Sequence, residues 1–229
     1  MTVLGIETAT SVCAAALVRD GATVEEAAVD RENVHAERLV GLVDEVLRRA
    51  GIGLRALDAI AVSIGPGSFT GLRIGLSVAK GFAYAASLPI VGVPTLEALA
   101  RHAAALENVP EDTGILAALD ARRDEVYCQL FTGRAGRITS AWEAASMTVG
   151  ELRGLIAGRE VIVAGNAARK VIGAEPALLP RVRAASAPAS QCSAAAVARL
   201  GSAMIGSVGA DNAATLEPRY IKEFFLKTR

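Results

Sequence analysis

Residues 59–75 read AIAVSIGPGSFTGLRIG: an apolar run, a glycine-rich turn and the beginning of a periodic segment. The apolar run at 59–64 predicts a buried strand, and the periodic segment predicts a helix from about residue 69 to residue 87. A strand that passes through a short turn into a helix is the building unit of α/β proteins. This stretch therefore indicates a sheet with parallel strand pairs that is covered by helices.

The segments on both sides of this unit continue the alternation of strands and helices. Upstream, three apolar runs separated by turns predict three successive strands. A helix follows them, with Asn33 as its N-cap and Gly51 as its stop. The strands are predicted at 3–6, 13–18, 23–29 and 89–93, and the helices at 35–50 and 95–105.

The opening pattern recurs after the polar segment 107–113, which contains Pro110 and predicts a linker. A strand, an acidic turn at Asp120 and two further strands repeat the order seen near residue 3. The repeat predicts two domains of related topology, 1–106 and 107–229, the second of them degenerate. In 107–229, strands are predicted at 115–119, 126–131, 138–142 and 161–163. One helix is predicted to end at residue 157 and to begin with a capping box of Thr148 and Glu151, and a second is predicted at 193–208. A loop-like segment is predicted at 174–189 and an extended element at 218–221.

Composition argues against several classes of protein. The chain has 229 residues, 52% of them hydrophobic, and 24 basic against 24 acidic side chains. This balance excludes a disordered chain and disfavours a strongly basic nucleic-acid binder. The start of the chain lacks the basic region of a signal peptide, and no apolar run reaches the roughly 20 residues of a membrane span. Cys13, Cys128 and Cys192 lack zinc-type spacing, which predicts buried, reduced thiols in a cytoplasmic protein.

The glycine-rich turn at 65–71 opens a helix, a position that suits an anion because free backbone N–H groups face it. Its spacing matches neither the dinucleotide fingerprint nor the P-loop. Pro66 stands where a serine-hydrolase elbow needs glycine. His35 and His102, the only histidines, have no predicted partner, so no nucleophile–base pair is indicated. The alternative to an anion site is a tight turn that only positions the helix.

The helix after this turn carries a stripe of small residues. Gly71, Gly75, Ala79 and Ala83 recur every four positions beside a stripe of large apolar residues. Together they form an apolar arc of about 200°, twice the width that a surface helix needs. The arc indicates either a helix buried within its own fold or a helix shared with a partner subunit.

The first strand-to-strand turn contains Glu7, Thr8 and Thr10. A carboxylate and hydroxyls at such a turn suit phosphate-bound magnesium, and the alternative is an ordinary polar turn. The corresponding second turn, 120–122, has no glycine, so a phosphate cannot approach its backbone as closely.

Blocks of sequence that follow one another in order make the chain resemble the TsaB (YeaZ) family. They are LGIETAT at 4–10, IGPGSFTGLRIG at 64–75, VGVPTL at 91–96, LDAR at 119–122 and EVY at 125–127, with PRYI at 218–221 similar to the family's closing motif. The resemblance implies an actin/hexokinase/Hsp70-like (ASKHA) fold of two related α/β domains. It also implies a role in making threonylcarbamoyladenosine next to the tRNA anticodon. Glu7 departs from the aspartate of many members.

The resemblance further implies a non-catalytic subunit that holds TsaD, the catalytic relative, in its active arrangement, with the ATPase TsaE joining the complex. The two metal-binding histidines of TsaD correspond to Thr95 and Leu99 here. Neither side chain replaces a histidine ligand, so no catalytic residue, metal or cofactor is expected. Contact with tRNA is expected through the complex. The candidates for any nucleotide contact are Thr8, Thr10, Gly165 and Asn166.

The family's pairing surface maps to the helices near 35–49 and 70–86. The residues expected to contact TsaD, or a second copy in a homodimer, are Leu39, Val43, Val46, Leu72, Gly75, Leu76, Ala79, Phe82 and Ala83. The alternatives to this function are a residual nucleotide-binding phosphotransferase of the same fold and a peptidase.

Overall fold

Two sheets of related topology form the framework of the protein. The computed structural model describes residues 1–134, 137–173 and 180–221. The first sheet has the order β3-β2-β1-β4-β5, in which β1 pairs antiparallel with β2 and parallel with β4. Its strands are β1 (Thr2–Glu7), β2 (Val12–Arg19), β3 (Ala22–Asp30), β4 (Ala59–Gly65) and β5 (Ile90–Pro94).

The second sheet repeats this connectivity. It has the order β11-β10-β6-β7-β8, in which β6 pairs antiparallel with β7 and parallel with β10. Its strands are β6 (Gly114–Asp120), β7 (Glu125–Arg134), β8 (Arg137–Ser140), β9 (Ala145–Thr148), β10 (Val161–Ala164) and β11 (Val182–Ala184). The α/β fold with two related sheets is therefore confirmed. Two strands were missed by sequence: β9, which pairs with β7, and β11, which pairs with β10 inside the segment 174–189 that was predicted to be loop-like.

Helices cover both faces of both sheets. They are α1 (His35–Arg49), α2 (Phe69–Ala86), α3 (Thr95–Leu106), α4 (Val149–Ile156), α5 (Ala168–Ile172) and α6 (Ala194–Val208). Helices α1 and α2 pack on one face of the first sheet and α6 on its other face. Helix α3 and the pair α4–α5 cover the two faces of the second sheet. Such double coverage explains why β1 and β6 read as almost unbroken apolar runs.

Helix α6 joins the two halves of the chain. It follows the second sheet in sequence but packs on the first, where a Cβ on Gly5 would overlap the carbonyl oxygen of Ala194. Gly201 approaches Ala61 on β4 in the same way. The predicted unit 107–229 is therefore not a single packing unit, because its last helix completes the core of the first sheet.

Helix ends agree with the sequence at one predicted cap and differ at another. The capping box of Thr148 and Glu151 is present, with Glu151 N donating to Thr148 Oγ1 at 3.2 Å. The prediction of Asn33 as an N-cap is wrong: Val34 holds that position without a side-chain hydrogen bond. Asn33 instead has φ +60°, a left-handed conformation that asparagine tolerates in turns.

Parts of two sequence predictions fall outside the residues that the structure describes. These are 174–179 of the loop-like segment and the chain beyond residue 221. Among the helices of the described ranges, none is long and apolar enough to cross a membrane.

Candidate functional site

The turn between β1 and β2 holds the first group of candidate residues. Glu7 is 1% exposed, and its Oε1 accepts a hydrogen bond from Ala9 N at 2.6 Å. Burial raises the pKa of Glu7 to about 7 because the charged form loses its hydration. The carboxyl group is thus part of the core and not a ligand held toward the cleft.

Thr8 is also buried, and its neighbours are on α2. A Cβ on Gly75 would overlap Thr8 Oγ1, and one on Gly71 would overlap the Thr8 carbonyl oxygen. A Cβ on Gly67 would overlap the Ala9 carbonyl oxygen. Gly67, Gly71 and Gly75 therefore let α2 and the turn before it pack closely on the β1–β2 turn. This geometry supports the tight-turn interpretation of the motif.

A cavity of about 830 Å³ opens between the two turns. Thr10 and Asn166 lie in its wall, whereas Thr8 and Gly165 are not among its lining residues. The lining residues are Ala9, Thr10, Ser11, Glu32, Asn33, His35, Ala36, Gly67, Ser68, Phe69, Thr70, Ile74, Leu119, Asp120, Ala121, Arg122, Tyr127 and Asn166. The structure thus brings together two of the four predicted nucleotide candidates.

Side chains from the segment after β10 fix the turn after β6. Lys170 Nζ lies 2.7 Å from Asp120 Oδ1 and 2.9 Å from the carbonyl oxygen of Glu125. Asn166 Oδ1 accepts from Asp120 N at 2.9 Å. Gly165, at φ +114°, lies against the carbonyl group of Ala118. Here Asn166 and Gly165 hold the turn in place, which is a structural role.

The resemblance matches Thr95 and Leu99 to metal ligands of TsaD, and both are core residues here. Thr95 is fully buried, and its Oγ1 accepts from Gly65 N at 3.0 Å. Leu99 is 1% exposed and packs in the core between α3 and the second sheet. Across the described ranges, no cluster of three or more histidine, cysteine or acidic side chains could hold a metal. Thr95 therefore connects the start of α3 to the end of β4, and Leu99 packs α3 on the second sheet.

The cysteines are buried, as the sequence predicts. Burial raises the pKa of Cys13 to about 11 and that of Cys128 to about 12, and it also raises the pKa of Cys192. A thiol with a raised pKa is a poor nucleophile because little thiolate is present at neutral pH.

The predicted partner residues lie deeper than expected. Of the nine, only Phe82 is partly exposed, and the other eight are buried: Leu39, Val43, Val46, Leu72, Gly75, Leu76, Ala79 and Ala83. They pack against the first sheet or its turns, because the apolar arc of α2 is largely used by its own fold. Exposed residues next to these nine are therefore the better candidates for contact with a partner chain.

A groove lined mainly by apolar side chains lies between α1, the segment after it and Phe82 of α2. We call it the α1–α2 groove; it has a volume of about 360 Å³ and is lined by Val40, Val43, Asp44, Leu47, Arg48, Ile52, Gly53, Leu54 and Phe82. Val40 is 52% exposed. Val43 and Phe82 of this lining were named from the sequence, but Val40 was missed. An apolar residue one turn before Asp44, on the polar face of α1, was the signal that could have identified it.

Comparisons with known proteins show what the chain is similar to. The family model described as TsaD, tRNA N6-adenosine threonylcarbamoyltransferase, matches residues 29–223, which is most of the chain. The tRNA threonylcarbamoyladenosine biosynthesis protein TsaB of Escherichia coli (strain K12) is 42% identical over 127 residues, covering 56% of this chain and 53% of that protein. The chain spans about half the length of the curated relatives that it matches.

Solved structures extend the likeness beyond the aligned half. YeaZ from Pseudomonas aeruginosa superposes with a TM-score of 0.78 at 28% identity, over 96% of this chain and 99% of that one. The ROK hexokinase of Thermus thermophilus has a TM-score of 0.50 at 15% identity, over 87% of this chain and 98% of its own. That second likeness shows the ASKHA-type fold alone. The chain belongs to the family described as TsaD, tRNA N6-adenosine threonylcarbamoyltransferase, and its relatives include TsaB (YeaZ) proteins.

Proposed function

We propose that this chain is a non-catalytic subunit required for forming threonylcarbamoyladenosine at the adenosine next to the tRNA anticodon. It acts in the cytoplasm as a scaffold and activator of TsaD, and TsaE joins the complex. The printed name of its Escherichia coli relative, a tRNA threonylcarbamoyladenosine biosynthesis protein, supports the pathway. The match to the TsaD family model supports a partner of the same fold.

The observation that carries this proposal is the α1–α2 groove. Val40 exposes 52% of its surface there, beside the partly buried ring of Phe82. Apolar side chains that stay in contact with water favour association, because covering them gains about 25 cal/mol per Å². Asp44 and Arg48 at the same groove supply charges of both signs that can fix the register of a partner helix. In the absence of TsaD, we propose that the groove pairs two copies of the chain.

The non-catalytic role is supported by the use of Thr95 and Leu99. Both are buried, and Thr95 Oγ1 is engaged by Gly65 N. The ion pair of Asp120 with Lys170 further fills the second turn, where a phosphotransferase needs space for phosphate. We therefore place transfer of the threonylcarbamoyl group on the partner.

The test is threonylcarbamoyl transfer to unmodified tRNA by TsaD and TsaE, with and without this chain. Product that forms only in its presence supports the proposal, and equal product without it overturns the proposal. Val40→Lys places a charge in the α1–α2 groove and is expected to reduce product formation to near the level without the chain. The matched control is Val24→Lys, because Val24 is 37% exposed on β3, away from the groove.

Gly75→Leu is unsuitable as a docking variant. A side chain at Gly75 overlaps Thr8 Oγ1 within the chain. Its effect on the complex would report damage to the packing of α2 and not a blocked partner surface.

A further inference from the structure

The chain after α6 passes around one edge of the first sheet. Helix α6 packs on one face of this sheet, whereas Ala213 and Leu216 pack with α1 and α2 on the other face. Residues 209–221, which we call the strap, connect the two faces by passing beside β5, the outermost strand on that side. The strap therefore covers an edge of the sheet.

Asp211 occupies hydrogen-bonding groups on the outer side of β5. Its backbone N donates to the Ile90 carbonyl oxygen at 2.8 Å, and its Oδ2 accepts from Gly92 N at 2.8 Å. The bridge between Ile90 and Asp211 is antiparallel and stands alone, outside the named strands. Asp211 thus takes one acceptor and one donor through which a further strand would pair with β5.

Two glycines leave room for the strap. A Cβ on Gly92 would lie 2.8 Å from Leu216 Cδ1, and one on Gly65 would lie 2.6 Å from the Arg219 carbonyl oxygen. The strap is further fixed at Ile64, whose carbonyl oxygen accepts from Arg219 N at 2.6 Å. A larger residue at either glycine position would displace the strap.

The far end of the strap lies at the start of α2, where the Tyr220 hydroxyl accepts a hydrogen bond from Arg73 Nε. The contacts of the strap thus come from three separate blocks of sequence, 64–75, 91–96 and 218–221. The strap is attached at four points along its length: Asp211, Leu216, Arg219 and Tyr220.

The two edges of the first sheet differ in charge. The strand at the opposite edge, β3, carries three carboxylates, Glu25, Glu26 and Asp30. The strand β5 reads IVGVP, which contains no charged side chain. Charged side chains on an edge strand oppose pairing with other molecules, whereas an uncharged strand rich in β-branched residues favours it. The edge at β5 is therefore the one that needs a cover.

We propose that the strap is a cover that keeps the apolar edge of β5 from pairing with the same edge of a second copy. Without the strap, the Ile90 carbonyl oxygen and the Gly92 N–H are free, and two β5 strands pair antiparallel about a two-fold axis. A second copy is the fitting occupant because this uncharged strand meets no like charge when it pairs with itself. The strap thereby restricts self-association to other surfaces, and this role does not rest on the proposed pairing with TsaD.

The test is the mass of the full chain in static light scattering after release of the strap. Asp211→Ala and Tyr220→Ala are combined, because both positions are exposed and the buried core is left unchanged. Val40→Lys is added so that the α1–α2 groove does not contribute. Release is expected to give about twice the mass of the Val40→Lys chain, as for a pair of copies related by a two-fold axis.

Hydrogen exchange shows whether the strap has been released. In dilute solution, the Arg219 amide hydrogen is expected to exchange about tenfold faster than in the Val40→Lys chain, because its hydrogen bond to Ile64 is lost. Glu217→Ala combined with Tyr84→Ala is the matched control in the same background. Both of these side chains are exposed, one on the strap and one on α2, so mass and exchange should stay unchanged.

A synthetic peptide of residues 209–221, added at about 1 mM, is expected to cover the edge again and to restore the mass of the Val40→Lys chain. Faster exchange at Arg219 without a gain in mass would overturn the proposal, and so would association that the peptide does not reverse. Unchanged exchange would also overturn it, because Asp211 and Tyr220 would then not hold the strap. A Val40→Lys chain that is itself a dimer counts against the groove alone, since the strap is still tested by a doubling of that mass.

Discussion

Arg73 Nε on α2 donates a hydrogen bond to the Tyr220 hydroxyl at 3.0 Å, although the two residues are 147 positions apart in sequence. The Arg73 guanidinium also lies 3.8 Å from the centre of the Phe69 ring, which is itself 5.1 Å from the Tyr220 ring. Close by, Arg219 N donates to the Ile64 carbonyl oxygen at 2.6 Å. The chain after α6 is thus fixed to the start of α2.

Tyr220→Ala is expected to release this attachment. The loss of one ring contact and one hydrogen bond to a charged group costs about 2 kcal/mol at a partly exposed site. Limited proteolysis should then cut the chain after α6 faster than in the unchanged protein. Tyr84→Ala is the control, because Tyr84 is 91% exposed on the same helix as Arg73. Equal cleavage rates for the two variants would contradict an attachment through Tyr220.

Glu7 makes stability depend on pH with a defined sign. Its pKa rises from 4.5 in the unfolded chain to about 7 in the folded protein, because the carboxyl group is buried. Between these values the unfolded chain releases the proton while the native protein keeps it, so the free energy of unfolding falls as the pH rises. The stabilising contribution is complete below pH 4.5 and is lost above pH 7, a change of about 3 kcal/mol.

Glu7→Gln removes this titration. We expect the variant to gain stability relative to the unchanged protein as the pH is raised from 5 to 8, in urea unfolding at each pH. Glu111→Gln, at an exposed position, is the control and should leave the difference flat. A Glu7→Gln difference that does not change with pH would show that the carboxyl group is already ionised in the native protein.

Two glycines on α2 are expected to respond oppositely to alanine. A Cβ at Gly75 overlaps Thr8 Oγ1, so Gly75→Ala should lower the free energy of unfolding by about 2 kcal/mol through overpacking. A Cβ at Gly81 meets open space, so Gly81→Ala should raise it by up to about 1 kcal/mol through helix propensity. Urea unfolding of the two variants measures both. The same sign for both would mean that α2 does not pack on Thr8 as closely as described.

Self-association gives a test of the α1–α2 groove that needs no partner protein. Static light scattering of the unchanged chain is expected to give the mass of a dimer. Val40→Lys should give a monomer, because a charge buried in an apolar contact costs several kcal/mol. Val24→Lys should stay dimeric. A monodisperse monomer for the unchanged chain would contradict pairing of two copies through this groove.

Strands, helices and caps that depend on neighbouring residues were predictable from the sequence. The strand and helix around residues 59–75 appear as β4 and α2 within about one residue, since a continuous apolar run and a glycine turn act at short range. The capping box at Thr148 is equally local. β9 was missed because its short run, Ala145–Thr148, is a strand only through its pairing with β7.

The functional surface was harder to predict than the fold. A helical wheel places Leu39 and Leu76 on an apolar face but does not say what covers that face, and here the chain's own first sheet covers it. Likewise, the cavity is lined both by His35, at the start of α1, and by Arg122, in the turn after β6, and no spacing in the sequence records this. Tertiary contacts, and not residue types, decide both cases.

The return of α6 to the first sheet sets the order in which the protein is completed during translation. The strands β1 to β5 leave the ribosome first, yet one of their faces stays uncovered until Ala194–Val208 has been synthesised. The earliest part of the chain is thus among the last to have both of its faces covered. Its exposed apolar face has to be shielded meanwhile, which makes nascent chains that stop before α6 the expected clients of chaperones.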